Sequence, residues 1–200
     1  MSAVLWICLA GALLELDTTY AFQLTFSRGI LAGPLLGLIT GDVMTGLQVG
    51  IFTELLFIDI SPLGGLLPPS AAVCCAVSLA LSALGIPVYF SFFFGAVSAI
   101  LFSIGEVLVR KQRAGWMSRQ EEKILQRPSR ITWTVVQALG MSFVCTFAFL
   151  FCVGVGVGFP FAKLVPFLPE QVHLASRFAY MAVPWIGMAA LIPLFRLKAR

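Results

Sequence analysis

Between Ile131 and Val157 the chain runs for 27 residues without a single Asp, Glu, Lys or Arg. A helix needs about 20 predominantly apolar residues to cross a bilayer, so this run by itself excludes most soluble folds. Leu66–Leu84 is also uncharged, Pro87–Val109 carries only Glu106 and Arg110 just beyond it, and Phe178–Phe195 is nearly long enough to span. The composition agrees. Hydrophobic residues make up 60% of the chain and charged ones 11%, with a mean hydropathy of +0.99, where a soluble domain carries roughly 25% charged residues. The expected fold class is all-α, a polytopic integral membrane protein with about five to seven hydrophobic segments.

The net charge of +4 and a pI of about 9.0 invite a nucleic-acid reading, but the placement of the charge favours topology. Seven of the thirteen basic residues lie between Arg110 and Arg130, and Arg196, Lys198 and Arg200 close the chain. Lys and Arg gather in cytoplasmic loops, so 110–130 and the C-terminus are expected on the cytoplasmic side. The chain then divides into a membrane core (1–109) with a polar motif region and a helical hairpin, a basic loop (110–130), and C-terminal helices with a basic tail (131–200). "SRQE" (Ser118–Glu121) has the spacing of a capping box, predicting a short helix within the loop that Pro128 would end. "LGIPV" (Leu84–Val88) predicts a tight turn. The five cysteines all lie in apolar runs with no C-x-x-C spacing, so they read as small hydrophobes, with neither a metal site nor disulfides expected. Ala3–Leu14 lacks a basic leader and is followed by Glu15 and Asp17, unlike a cleavable signal peptide.

The first third is built differently. Ala3–Leu14, Gly29–Thr40 and Leu47–Ile58 are each about twelve residues, too short to span. Interrupted apolar segments suit re-entrant hairpins or broken helices, which persist at membrane depth only inside protein or beside a watery cavity. Gly29, Gly33, Gly37 and Gly41 recur every four residues, as do Gly46 and Gly50, the latter pair leading to Glu54. On helices these are stripes where another backbone can approach. Seven charged residues precede the basic loop: Glu15, Asp17, Arg28, Asp42, Glu54, Asp59 and Glu106. A charge at the bilayer centre costs about 2.5–3.5 kcal/mol on insertion scales, and one arginine cannot neutralise six acids. Asp42 also suits a helix cap, Asp59 a turn and Asp17 an interface, whereas Glu54 has no local structural duty. Carboxylates beside Gln23, Gln48, Thr45 and Thr53 could accept sugar hydroxyls, and the same carboxylates suit protons or sodium. Residue types leave both open.

No phosphate-cradling loop, nucleophile elbow or metal-ligand cluster is present in the sequence, so neither an enzyme nor a cofactor is expected. The sole histidine, His173 in "LPEQVHL", reads as a surface or interface residue.

Leu16–Ala72, "LDTTYAFQLTFSRGILAGPLLGLITGDVMTGLQVGIFTELLFIDISPLGGLLPPSAA", resembles the start of the IIC component of the mannose–fructose–sorbose family of the bacterial sugar phosphotransferase system. The matching positions are Asp17, Gln23, Arg28, Gly33 to Asp42, Thr45 to Glu54, and Gly64 to Pro68. Leu164–Leu191 matches more loosely. The resemblance is to a form shortened at its C-terminus, at "FRLKAR" (Phe195–Arg200). It implies a multi-pass permease subunit in the bacterial inner membrane, assembled with a IID membrane subunit in an oligomeric complex and served by cytoplasmic IIA and IIB phosphocarriers. It also implies no phosphorylation site on this chain and an elevator-like movement of a core against a scaffold. Glu54 would accept sugar hydroxyls, Asp42, Asp59, Gln23 and Asp17 would line or shape the site, and Arg28 would neutralise a carboxylate. The expected partners are these subunits, a hexose-type sugar and membrane lipid, with no nucleic acid. The other readings are an ion-coupled secondary transporter in which Glu54 carries a proton, and a non-transporting scaffold or regulatory relative.

Overall fold

The computed structural model describes residues 2–19, 24–58, 60, 67–126 and 131–198. Among them the ordered elements are all helical: α1 (Ser2–Thr19), α2 (Gly29–Thr40), α3 (Val43–Phe57), α4 (Ala71–Ala83), α5 (Val88–Gln126), α6 (Ile131–Phe151), α7 (Gly158–Leu164) and α8 (Glu170–Lys198). A wide π turn (Cys152–Val157) joins α6 to α7, and a 3₁₀ turn (Val165–Phe167) follows α7. Three stretches are long and apolar enough to cross a membrane: Val88–Trp116, Ile131–Phe167 and Glu170–Ile192. With the shorter apolar helices between them, the chain is a polytopic helical membrane protein.

The short helices form the interior. At 1.5 Å per residue α2 and α4 are roughly 18–20 Å long, less than the hydrocarbon thickness of about 30 Å. The α2–α3 hairpin is joined backbone to backbone. A Cβ on Gly29 would lie 2.7 Å from the Gly50 carbonyl oxygen, and one on Gly33 or Gly46 would strike the carbonyl oxygen of the other. The turn between them needs the left-handed region, which Gly41 supplies at φ +78° while its N–H bonds back to Gly37 and Leu38. Asp42 then caps α3. Behind the hairpin lies α4, buried continuously from Ala72 to Leu81, with α1 and α5 packed on its sides. The expected turn at Leu84–Val88 is present, with Gly85 at φ +86°.

Several boundaries differ from the sequence expectation. The helix expected from Leu66 begins at Ala71, because Ser70 caps it by accepting the Val73 N–H and the prolines at 68 and 69 cannot extend it backwards. The helix expected from Phe178 begins at Glu170, just after Pro169, so His173 is helical and not in a loop. The third short segment starts at Val43, four residues before Leu47, where Asp42 sets its N-terminus. The largest difference is α5. No breaker interrupts Val88–Gln126, so 110–126 is a direct continuation of the membrane helix and Ser118 lies mid-helix, where a capping box has no free amides to satisfy. At 39 residues α5 is roughly 58 Å long, so its basic end projects well past a bilayer core.

From Ser142 to Gly158, buried positions fall every four residues: Ser142, Thr146, Leu150, Gly154 and Gly158. This stripe of mostly small residues lies against α1 and α4, where Gly154 meets Val4, Cys8 and Ala80, and Gly158 meets Leu81 and Leu84.

Candidate functional site

A cavity of about 700 Å³ opens where the short helices meet the middle of α5. Its walls come from α1 (Glu15, Thr18), the turn before α2 (Ser27, Arg28), the C-terminal end of α3 (Thr53, Glu54, Phe57), the segment 67–71 and α5 (Phe102, Ser103, Glu106, Arg110). Its size falls within the usual range for small-molecule sites, roughly 300–1,000 Å³, and it combines apolar walls with a few polar groups.

Glu54 reaches the cavity because the glycine stripe on α3 lets α2 lie directly against it. One carboxylate oxygen accepts the Gly29 N–H at 2.7 Å, and the other lies 3.4 Å from the Arg28 guanidinium. Gly29 is the first residue of α2, so the carboxylate sits where unsatisfied amides and the positive end of the helix dipole favour an anion. The ion pair adds less, because Arg28 is 67% exposed. Glu54 therefore has a structural duty, closing the start of α2, that its local sequence does not reveal.

The remaining acids are distributed unevenly. Asp17 is buried and accepts the backbone N–H groups of Leu24 (2.8 Å) and Ser27 (3.4 Å), tying the connector between α1 and α2 and so fixing where Arg28 arrives. It does not line the cavity. Asp42 lies twelve residues from Glu54 along α3, roughly 18 Å away, and is fully at the hairpin turn. Its carboxylate accepts the Thr45 hydroxyl at 2.5 Å and the Thr45 N–H at 3.0 Å, which hold it below its usual range. Gln23 and Asp59 lie outside the described residues.

Several polar cavity residues were absent from the sequence-derived site, among them Glu15, Ser70, Glu106 and Arg110. Glu15 accepts a hydrogen bond from the Ser70 hydroxyl. Glu106 accepts from Arg113 at 2.7 Å and from Arg110 at 3.3 Å, and Arg113 also donates to Ser142 on α6. The available signal was the one that singled out Glu54, a carboxylate in an apolar run. What sequence could not supply was the convergence of positions 15, 54, 70 and 106. Behind the site, Thr53 donates to the Val49 carbonyl oxygen and lies 3.4 Å from the Cys74 sulfur, so Cys74 and Cys75 act as buried packing. His173 contacts the Tyr89 hydroxyl (3.1 Å) and the Val165 carbonyl oxygen (3.3 Å), at an interface between α8 and α5 remote from the cavity lining.

Fold and site together define a polytopic helical membrane protein with a carboxylate-walled cavity among short interior helices. The family model described as "PTS system sorbose-specific iic component" matches residues 1–198, and the chain belongs to that family. A relative from Escherichia coli (strain K12), named "Putative N-acetylgalactosamine permease IIC component 2", is 38% identical over 53 residues, which are 26% of this chain and 40% of the relative. The match therefore spans well under half of that relative's length. A solved structure described as "Structure of membrane protein" superposes with a TM-score of 0.79 at 19% identity, covering 98% of this chain and 80% of the other. That likeness establishes a shared fold.

Proposed function

We propose that this chain is the sugar-translocating IIC subunit of a phosphoenolpyruvate-dependent phosphotransferase system, and that a hexose-type sugar occupies the cavity between α1, α3 and α5. The observation that carries the reading is the cavity wall, where carboxylates from three separate helices stand among apolar side chains in a chain of this family. A sugar presents hydroxyl donors around an apolar ring face, and charge-assisted hydrogen bonds to carboxylates contribute roughly 1.5–3 kcal/mol each. Glu54 is the first hydroxyl acceptor, with a lone pair left on each oxygen after its contacts to Gly29 and Arg28. Arg28 neutralises it. Asp17 shapes the site by holding the connector, and Asp42 by capping α3 from the far end of the hairpin. Gln23 joins the site on the strength of the motif it shares with the family, and Asp59 as a further carboxylate of the same apolar stretch. A IID subunit completes the membrane complex, IIA and IIB carriers deliver phosphate, and the basic end of α5 and the C-terminus face the cytoplasm.

The test uses membrane vesicles containing this chain with its IID, IIA and IIB partners, phosphoenolpyruvate and labelled hexoses. Glu54→Gln retains an oxygen for the Gly29 N–H and removes the charge. The expected result is phosphorylated sugar inside wild-type vesicles and roughly 10- to 100-fold less with Glu54→Gln. Uptake that needs no phosphoenolpyruvate and collapses with an uncoupler would overturn the reading in favour of ion coupling. An assembled complex that takes up no hexose would overturn it in favour of a scaffold.

A further inference from the structure

Two parts of the cavity lining carry the same three kinds of side chain. On α3 and the turn before α2 they are Glu54, Arg28 and the ring of Phe57; on α5 they are Glu106, Arg110 and the ring of Phe102. Phe102, Glu106, Arg110 and Arg113 are spaced by four, four and three residues, which sets them along one face of α5. The charges of this lining are met in place. Glu54 pairs with Arg28, Glu106 pairs with Arg110 and Arg113, and Glu15 is held by the hydroxyls of Ser70 and Thr18. A lining of this kind suits an uncharged ligand. An ion pair presents such a ligand with acceptors and donors side by side, since a carboxylate has about four acceptor positions and a guanidinium five N–H groups. Neighbouring hydroxyls of a sugar can use both.

The pair on α5 is also withdrawn from water. The side chains of Glu106 and Arg113 are 13% and 11% exposed. Arg113 donates to Ser142 as well, and Ser142 lies roughly 16 Å along α6 from Ile131, inside the uncharged run. Burying an ion pair is costly, and packed apolar side chains often join two helices as well or better. Holding α5 to α6 therefore does not account for it, whereas charged groups at membrane depth commonly serve a ligand path.

We propose that Glu106 and Arg110 form a second hydroxyl-binding wall of the cavity, separate from the Glu54–Arg28 pair, and that Arg113 is the positioning residue that holds Glu106 in it. This deepens the proposed function and rests on it. Both guanidiniums address one carboxylate oxygen, Oε1, from Arg110 Nε at 3.3 Å and from Arg113 Nη2 at 2.7 Å. The shorter contact comes from Arg113, which is not among the lining residues, while Arg110 stands in the wall with its side chain 38% exposed. A bound hexose is then gripped at two different sets of hydroxyls, one by each pair, and its apolar ring face packs on phenylalanine.

The experiment measures binding to vesicles carrying the full complex without phosphoenolpyruvate, so that turnover does not contribute. Whichever of labelled glucose, galactose and mannose binds is displaced by the same sugar and by each of its monodeoxy derivatives. Glu106→Gln should weaken the parent sugar about tenfold. It should cost less than about twofold for the derivative that lacks the hydroxyl Glu106 accepts, and Glu54→Gln should lose its effect at a different hydroxyl. Arg113→Met should reproduce the Glu106→Gln pattern, and Arg113→Lys should restore binding to within about threefold. If Glu106→Gln does not assemble, Glu106→Asp gives the same comparison, because it keeps the charge and draws the carboxylate back by one methylene. An equal loss for the parent and every deoxy sugar would make Glu106 a structural residue only; the second wall then falls and the sugar site stands. Loss of both effects at one and the same hydroxyl would mean a single wall. An Arg113→Met complex that binds like wild type would remove the positioning role. If the assembled wild-type complex binds none of the three sugars, the functional reading fails and this inference fails with it.

Discussion

The helices long enough to cross a membrane are the least enclosed. In the best membrane-spanning window of each long segment, 39% of residues are buried for α5, 22% for the stretch from α6 to Phe167 and 17% for α8. Trp133, Phe178 and Trp185 stand 65–70% exposed on those outer helices. The inner helices reverse the pattern. In α4 every residue from Ala72 to Leu81 is buried, most of them Ala, Val or Cys, and α2 meets α3 through glycines. Large side chains face lipid because lipid is as apolar as they are, and small ones face protein because close backbone packing is what holds helices together there. In this molecule exposed large side chains mark the outside, while glycines and carboxylates mark the inside.

That contrast can be broken by adding carbon atoms to each region, with thermal unfolding in detergent as the measurement. Gly33→Val should have the largest effect, a loss of about 3 kcal/mol or more and little recoverable folded protein, because the Gly46 carbonyl oxygen occupies the space. Survival of Gly33→Val with an unchanged melting temperature would mean that the hairpin is not closely joined. Gly187→Ala probes a close approach of α8 to the interior, where a Cβ would lie 2.8 Å from the Leu55 carbonyl oxygen. A cost of about 1–3 kcal/mol is expected, and none if α8 shifts freely like an outer helix. Asp42→Ala should lower the melting temperature by a few degrees. Because Thr45 holds the folded-state carboxyl below its usual range, the cap contributes above that range and is lost as pH falls through the lowered value. Wild type and variant should therefore converge in acid. Smallest of all is Gly140→Ala on α6, where a Cβ meets open space. It should be neutral or gain up to about 1 kcal/mol.

Sequence reasoning reached the glycine stripes, the boundaries of α2 and the membrane class, because each is a short-range property of one segment. Gly29–Thr40 was readable since Arg28 and Gly41 both interrupt the apolar run. It reached Glu54 and Arg28 for the same reason, as charges out of place among apolar neighbours. It missed the length of α5, since a run of charges resembles a loop until its helical continuity is seen, and the reach of α1 to Thr19, which passes through Glu15 and Asp17. The pairing of Glu15 with Ser70 joins positions 55 apart, and no local pattern announces it. Asp42 and Asp17 were visible as polar positions, but only the tertiary arrangement shows that their oxygens hold backbone amides of nearby turns.

The π turn at Cys152–Val157 has a consequence for phase. In an α-helix with 3.6 residues per turn, positions four apart creep around the axis by about 40° each step, so a four-residue pattern from Ser142 would in time rotate off its partner. A wider i→i+5 turn takes part of that creep back, which is how Gly158 still meets Leu81 after Gly154 has met Ala80. The turn works as a vernier between two periodicities, and deleting one residue from it would swing everything beyond by about 100°. Such a deletion would present Phe159 where Gly158 now fits, so the spacing of "CVGVGV" constrains the molecule as firmly as the identity of its residues does.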